Sequence, residues 1–376
     1  MMRDFLNLRG CLEALAKNGD VLPATGGAAE QLLQPDLEER EDAAIVGDGI
    51  SDRFAEDPAP RTMKEFIPCP QVPRTEINRY RYFLDGAMRT HYLCTVSEQN
   101  VTEPVLLGEV GAAVMERLDD GSLRPFAVKS KLLLLINKQP FSQALTYALD
   151  QAAEASRLPV IDTGQENAFT RRSAADPAAR AQGCARWEMR ELERCILQEI
   201  PAGDYWMITD GSLSSQGSRQ AILKGQQVIG VAKSFAKSPK FRAGRSTETI
   251  TVTRLVAELP VGHRTPLFVS SQGDTGFWYV RLWPQGAVDY PLMGVIKCDI
   301  ELPSQIPVIQ GQLATDLSGS LVAERRVTPL GNDPRWHSQL YPIHIAEQVI
   351  RSRFIPPLML REGLTREWSR LLRGGK

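Results

Sequence analysis

Long runs of apolar and β-favouring residues between residues 80 and 136 restrict most strongly how this chain can fold. The segments RYRYFLD and HYLCTV predict a first and a second strand, and the runs PVLLGEVGAAVMERL and RPFAVKSKLLLLI follow them. The last two runs flank Asp119-Asp120-Gly121, and Asp-Gly between two apolar runs is typical of a β-hairpin. The sequence therefore predicts a meander of antiparallel strands after Asp85.

Helical periodicity replaces the strand pattern between residues 140 and 200. FSQALTYALDQAAEASRL and CARWEMRELERCILQEI carry apolar residues at helical spacing, with an interruption at Pro177 and Gly183. Strand-like runs ending at Asp210 and in QQVIGVAKS come next, and YPIHIAEQVIRSRF is expected to be helical in its second half. This order predicts an α+β or mixed α/β protein built around one central sheet, with residues 80 to 350 in one continuous domain.

The two ends of the chain differ in composition from this region. Residues 1 to 70 are expected to form a short amphipathic helix followed by an acidic arm, in which LEEREDAA is expected to form a helical turn or two. Residues 75 to 355 are assigned to the main domain and residues 356 to 376 to a basic C-terminal tail.

Charge and cysteine usage exclude several classes of protein. The formal net charge is −1, so any binding of nucleic acid has to come from local basic patches. The six cysteines are scattered without CxxC spacing, which argues against a structural zinc site. The apolar run Leu132 to Ile136 is too short to span a membrane, and the first residues do not read as a signal peptide. We expect a cytoplasmic protein with reduced thiols and no membrane contact.

Two strand-like runs end on an Asp-Gly pair, at Asp85-Gly86 and at Asp210-Gly211. Mg²⁺ and Mn²⁺ prefer oxygen ligands, and phosphodiester hydrolysis with two such ions needs carboxylates from several elements. Strand ends supply rigid positions for them. The alternative is that each pair only starts a turn, since Asp and Gly are common turn residues.

The helix before Asp210 offers further carboxylates, and a later predicted helix places Glu347 among apolar neighbours. For each glutamate the alternative is an ordinary solvated or boundary position; the candidates on the earlier helix are Glu188, Glu191, Glu193 and Glu199.

Basic residues are concentrated in KSFAKSPKFRAGRS, which is expected to be an exposed loop. Phe235 and Phe241 interleave with the charges, and an exposed aromatic ring can stack on an unpaired base. The alternative is a solvated loop without a ligand. The predicted DNA-binding residues are Lys233, Lys237, Lys240, Arg242 and Arg245, and a second basic cluster contains Arg171, Arg172 and Arg180.

From about Tyr80 to Phe354 the chain resembles the NurA nucleases, RNase H-like DNA-processing enzymes that work with the HerA translocase. The similar segments occur in the family's order, although none is specific alone. They are the strand ending in Asp85-Gly86, ITDGSL, VIGVAKS, WYVRLW followed by GVIKCDIELP, and SQLYPIHIAEQ. The resemblance implies an RNase H-like central mixed sheet flanked by helices, with extra strands and with N- and C-terminal extensions.

The family's metal ligands carry over to Asp85, Glu193, Asp210 and Glu347, with Glu191 as the alternative to Glu193 after a change of register. Lys233 occupies the family's lysine position. The last motif departs from the family, because Gln339 stands where a Tyr is expected and Tyr341 is out of register, while Glu347 replaces a His or Asp. The role of the family's tyrosine is therefore left open.

The resemblance implies a deoxyribonuclease that uses two Mn²⁺ or Mg²⁺ ions in DNA end processing or phage defence. It also implies a homodimer docked on a HerA-type hexameric ATPase, and this chain has no GxxxxGK[ST] motif of its own. The alternative is a catalytically inactive RNase H-like scaffold that binds DNA or the motor.

Overall fold

A computed structural model gives the fold. It describes residues 2–24, 50–51, 53–70, 72–73, 79–165, 176–213, 225–237, 239–242, 249–270, 273–285, 290–302, 309–328 and 335–374. The predicted helical turn in LEEREDAA lies outside these residues, as do Arg171, Arg172 and Arg245.

Helices flank a large mixed sheet, so the predicted mixed α/β class is confirmed. The strands are β1 (Asp20–Pro23), β2 (Ile50–Ser51), β3 (Glu56–Asp57), β4 (Ile67–Pro68), β5 (Tyr80–Glu98), β6 (Val101–Arg117), β7 (Leu123–Ile136), β8 (Val160–Asp162), β9 (Trp206–Asp210), β10 (Gln227–Ala232), β11 (Lys240–Arg242), β12 (Thr249–Thr251), β13 (His263–Arg264), β14 (Phe268–Val269), β15 (Thr275–Arg281), β16 (Val295–Glu301) and β17 (Ile309–Gln310). The helices are α1 (Met2–Asn18), α2 (Gln143–Ser156), α3 (Pro177–Leu197), α4 (Val252–Ala257), α5 (Gly311–Glu324), α6 (Tyr341–Arg351) and α7 (Pro357–Gly374).

Within the described residues the main sheet has twelve strands, in the order β4-β13-β15-β16-β10-β9-β5-β6-β7-β8, with β1 on β5 and β14 on β15. The antiparallel meander of β5, β6 and β7 was predicted correctly. Gly121, in the predicted turn between β6 and β7, has a φ of +82° that suits glycine.

The predicted break after Asp85 is wrong, because β5 is one strand of 19 residues that also contains HYLCTV. Asp85 pairs with Ala113 and Gly86 with Ala112 on β6, so the Asp-Gly pair lies inside the ladder. Continuous pairing with β6 outweighs the turn preference of the dipeptide. At Asp210 the prediction holds, since β9 ends there.

Several strands of the sheet begin or end at the same end of the sheet. β5, β9 and β10 run parallel, whereas β16 runs antiparallel to β10 and to β15. Asp210 lies beside Val231, and Ala232 lies beside Lys297. The C-terminal ends of β9, β10 and β15 therefore lie at the same end of the sheet as the beginning of β16. We call this end the Asp210 edge.

Separate hydrophobic cores lie around the sheet. In one, residues of α5 and α6 pack with β5, β10, β15 and β16; in another, α3 packs with β5, β6 and β7. Helix α5 was not predicted from the sequence, and α6 begins at Tyr341 rather than halfway along its segment. Asp176 caps α3 by accepting from the Ala178 N–H, so Pro177 begins that helix instead of interrupting it.

The described parts of both ends of the chain pack against the rest of the fold, while residues 25 to 49, most of the predicted acidic arm, lie outside the described residues. Helix α1 forms as predicted, and it packs with α2 and α7 in a core that we call the terminal core. Strand β1 pairs with the far end of β5. The predicted basic tail is helix α7, which buries Leu360, Leu364 and Trp368 because its apolar residues recur at helical spacing. No helix in the described parts is long and apolar enough to cross a membrane.

Candidate active site

Asp85 lies at the point where β5 parts from its parallel neighbour. The pairing of β5 with β9 reaches Leu84 opposite Thr209, and Asp85 is the next residue. By alternation Asp85 shares a face of the sheet with Phe83, which packs in the core of α5 and α6. Asp85 is 3% exposed and its Oδ1 accepts from the Gly86 N–H at 2.8 Å. The carboxylate is thus held nearly out of water.

Asp210 is the last residue of β9, and the chain turns away immediately after it. Gly211 has a φ of +87°, a conformation that a side chain would strain. The Lys233 Nζ lies 3.0 Å from the Asp210 Oδ2, and both side chains are largely buried. The strand end and the residue that follows β10 therefore place a cation against this carboxylate.

Glu193 approaches β5 from the α3 side of the sheet. It is 6% exposed and its Oε2 accepts from the Arg190 Nη1 at 2.8 Å. A Cβ built on Gly86 would lie 2.2 Å from the Glu193 Oε1, so this approach requires a residue without a side chain at position 86. The Glu191 alternative pairs with Arg194 at 2.7 Å and is only partly buried.

The remaining glutamates of this region are paired elsewhere on the surface. Glu188 lies 3.2 Å from the Lys131 Nζ, and Glu199 lies 2.5 Å from the Lys129 Nζ. Their contacts are with β7, away from Asp85. The structure therefore brings Glu193, rather than Glu188 or Glu199, to β5.

Glu347 reaches the same region from α6. Its Oε1 lies 2.8 Å from Arg351 one turn later. Tyr341, at the start of this helix, is 51% exposed, whereas Gln339 is buried and accepts a hydrogen bond from Arg326. Gln339 is thus part of a buried hydrogen-bonding network.

Electrostatic coupling joins the four carboxylates. Burial, and then the charge of Asp210, raise the pKa of Asp85 well above its ordinary value; Lys233 opposes this, while Glu347 and Glu193 add to it. Burial also raises the pKa of Glu193 despite Arg190 nearby, and Asp210 contributes. The pKa of Asp85 therefore responds to the charges of all three other carboxylates.

Glu347 responds in the opposite direction. Burial pushes its pKa upward, but Lys233, Arg351 and His344 together bring the pKa below the ordinary value. Burial and the charges around them therefore shift the pKa values of Glu347 and Asp85 in opposite directions.

The carboxylates of the site are suitable ligands for divalent metal ions, although three of them form ion pairs with basic side chains. In the described part of the chain no three acidic, histidine or cysteine side chains are arranged as a ready metal-binding group. Glu193, Asp210 and Glu347 each contact a basic side chain at 2.8 to 3.0 Å. Carboxylate oxygens are the ligands that Mg²⁺ and Mn²⁺ prefer, and burial together with the neighbouring carboxylates raises the pKa of Asp85 despite the nearby Lys233.

The expected base-stacking role of the basic loop is wrong for its aromatic residues. Phe235 and Phe241 are 3% and 0% exposed, because they pack with Phe268, Phe277 and Tyr279 in a core under β15. Lys237 and Lys240 are exposed and Arg242 is half-buried. Lys233 belongs to the Asp210 contact described above, and Arg180 is half-buried in α3.

Asp299 is a buried carboxylate beside the site that the sequence reasoning missed. It lies on β16 opposite Gly230, accepts hydrogen bonds from the Ser212 hydroxyl and from the Leu213 N–H at 3.2 Å, and lies 3.7 Å from the Lys297 Nζ. It therefore fixes the turn that follows Asp210. The signal available in the sequence was a Lys and an Asp inside the apolar strand VIKCDIE.

Neither a scan against protein-family models nor a search of curated proteins finds a match to this chain.

Proposed function

We propose that this protein is a metal-dependent deoxyribonuclease that hydrolyses phosphodiester bonds with two Mn²⁺ or Mg²⁺ ions. The observation that carries the proposal is that Asp210, Glu347 and Glu193, from three other elements, lie close enough to the buried Asp85 for their charges to raise its pKa. Structural carboxylates are usually paired one by one, whereas a buried group facing three like charges is costly and typical of functional sites.

The four carboxylates would hold the ions, and bound ions of this kind activate a water molecule and stabilise the leaving 3′ oxygen. Lys233 supplies a compact positive charge beside Asp210, where it would attract a substrate phosphate. Gly86 leaves the space that Glu193 occupies. A bound cation would favour the ionised form of Asp85, whose pKa is raised by burial and by the neighbouring carboxylates, so cation affinity is expected to increase with pH.

The resemblance to the NurA nucleases extends the proposal to partners. A homodimer acting with a HerA-type hexameric ATPase would process DNA ends or invading phage DNA. The five similar segments support this extension, and four of them include parts of β5, β9, β10 and α6, the elements around Asp85.

The test is cleavage of labelled single- and double-stranded DNA with and without Mn²⁺, comparing the wild-type protein with Asp210→Asn. Asp204→Asn is the matched control, because Asp204 is exposed near the opposite end of β9. Metal-dependent cleavage that is lost only in Asp210→Asn supports the proposal. Cleavage that survives this substitution would refute the assigned site.

The scaffold alternative also has an observation in its favour. Arg190, Lys233 and Arg351 already neutralise three of the carboxylates, as a site without metal would require. Isothermal titration with Mn²⁺ separates the two functions, because a scaffold stabilised by these ion pairs would take up no ion in the wild-type protein.

A further inference from the structure

Two tryptophans lie together at the Asp210 edge. Trp283 follows the end of β15, and Trp336 begins a short 3₁₀ turn. The Ser338 hydroxyl donates to the Val295 carbonyl at 3.2 Å, which ties this turn to the beginning of β16. The two indole rings meet edge to face, with centroids 5.6 Å apart and an angle of 60°.

A second planar side chain lies against each tryptophan ring. The ring of His337 lies 3.6 Å from that of Trp336 between centroids, and the Arg325 guanidinium lies over the Trp283 ring at 5.4 Å. All four side chains are half-buried, so part of each remains accessible. We call these residues, Trp283, Trp336, His337 and Arg325, the tryptophan platform.

The platform has a fixed orientation and a hollow beside it. The Trp283 indole N–H donates to the Arg326 carbonyl at 3.1 Å, which sets the direction of the ring. A cavity of about 140 Å³ is open beside this ring and is lined on its other sides by Arg325, Val261 and Val322. A hollow of mixed polar and apolar lining next to a π-face and a guanidinium suits a flat, polar-edged ring.

A basic side chain connects the platform to the candidate active site. The Arg335 Nη1 donates to the Ser234 hydroxyl at 3.3 Å, and Ser234 follows Lys233 in the chain. Two basic side chains, Lys233 beside Asp210 and Arg335 beside Trp336, therefore lie between the candidate active site and the platform. A nucleic-acid backbone is attracted to basic side chains, and its unpaired bases can stack on aromatic faces nearby.

We propose that the tryptophan platform binds unpaired bases of a single DNA strand whose backbone passes Arg335 and Lys233. The inference rests on the proposed nuclease function and specifies its substrate, because stacking on these faces requires bases that are not paired in a duplex. The platform takes the role that the sequence suggested for Phe235 and Phe241, which are buried.

The test measures binding of a fluorescent oligo(dT) in the absence of divalent metal, so that cleavage does not contribute. Trp336→Ala is compared with Trp336→Phe, which keeps an aromatic face, and with Trp206→Ala, since Trp206 is half-buried at the opposite end of β9. Thermal melting confirms that each variant is folded. Arg325→Gln provides a second variant that leaves both indoles in place.

Loss of one stacking contact is expected to weaken oligo(dT) binding by about tenfold in Trp336→Ala. Trp336→Phe should retain most of the affinity, Trp206→Ala should match the wild-type protein, and Arg325→Gln should weaken binding and reduce its dependence on salt. Equal affinity of Trp336→Ala and the wild-type protein for oligo(dT) overturns the proposal. The proposal is also overturned if Trp336→Ala loses as much affinity for a blunt DNA duplex as for oligo(dT).

A separate assay distinguishes failure of the nuclease proposal from failure of this one. Mn²⁺-dependent hydrolysis of bis(p-nitrophenyl) phosphate by the wild-type protein needs no base stacking. If that hydrolysis is absent while oligo(dT) binding depends on Trp336, the nuclease function is refuted and the platform stands as a DNA-binding site. If hydrolysis occurs and the affinity for oligo(dT) does not depend on Trp336, only the platform is refuted.

Discussion

Replacing Gly86 with alanine separates the candidate catalytic geometry from the stability of the fold. The added Cβ would lie 2.2 Å from the Glu193 Oε1, whereas ordinary contacts begin at 3.4 Å, so the oxygen has to withdraw by about 1.2 Å (3.4 − 2.2). The obstructing atom is the far end of a flexible side chain rather than backbone. Gly86 is also not among the residues with positive φ, so alanine can adopt its backbone conformation.

The expected result is a large loss of activity with little loss of stability. Misplacing a catalytic group by about 1 Å costs on the order of 100-fold in rate, and Glu193 is the group that moves. Alanine also restricts the unfolded chain more than glycine does, which contributes about 0.4–1 kcal/mol and partly offsets the cost of moving Glu193. We expect the free energy of unfolding to change by less than about 1 kcal/mol.

Mn²⁺-dependent cleavage of labelled DNA and urea denaturation, performed on the same preparations, test both parts. Gly108→Ala is the matched control, because Gly108 lies on the neighbouring strand β6 and its Cβ would first meet the Leu135 Cδ1 at 3.1 Å. That variant should keep its activity. Wild-type cleavage by a folded Gly86→Ala protein would refute the assignment of Glu193, and loss of folding would refute the packing argument.

Three further substitutions test the charge and packing of the region. Asp85→Asn is expected to stabilise the metal-free protein by about 1–3 kcal/mol at neutral pH, because asparagine fills this buried position without the cost of either carrying a charge or retaining a proton there. The folded-state pKa of Asp85 is raised, so the wild-type protein loses stability as the pH rises through that pKa, whereas the variant does not. Urea denaturation should therefore give similar stabilities for the two proteins at about pH 4 and different stabilities at about pH 8. Gly230→Ala is expected to cost about 2 kcal/mol or more, because its Cβ would lie 2.9 Å from the Gly211 carbonyl oxygen, and thermal melting close to the wild-type midpoint would contradict this. Phe241→Ala should cost about 3–5 kcal/mol in chemical denaturation, while exposed Lys240→Ala should change stability by less than about 0.5 kcal/mol; similar values for both would contradict the burial of Phe241.

Local sequence patterns predicted most of the main elements, because strand and helix periodicity reflect which faces are buried. They misjudged Asp85, since the turn preference of Asp-Gly is a local property and the 19-residue strand is held by pairing with β6. They also misjudged Phe235 and Phe241, because a basic neighbourhood in sequence says nothing about which side chains face the core.

The candidate site was predictable only in part. Asp210 could be read from its own strand end, but Glu193 and Glu347 were selected through family resemblance, since helical periodicity alone does not distinguish them from surface glutamates. Asp299 was missed because its partners, Ser212 and Leu213, lie far from it in sequence. Contacts of this kind depend on which strands are neighbours in the sheet. Here the pairing of β16 with β10 brings Asp299 next to the turn that contains Ser212 and Leu213.

The terminal core has a consequence for how the chain folds during synthesis. Helix α1 is made long before α7, yet both pack with α2 in the same core, and Arg9 contacts Glu367 at 3.3 Å. Contacts between such distant residues close a very long loop and form slowly. The apolar faces of α1 and α2 therefore stay uncovered by α7 while the strands around Asp85 are already complete, and this interval is when a growing chain most needs protection from aggregation.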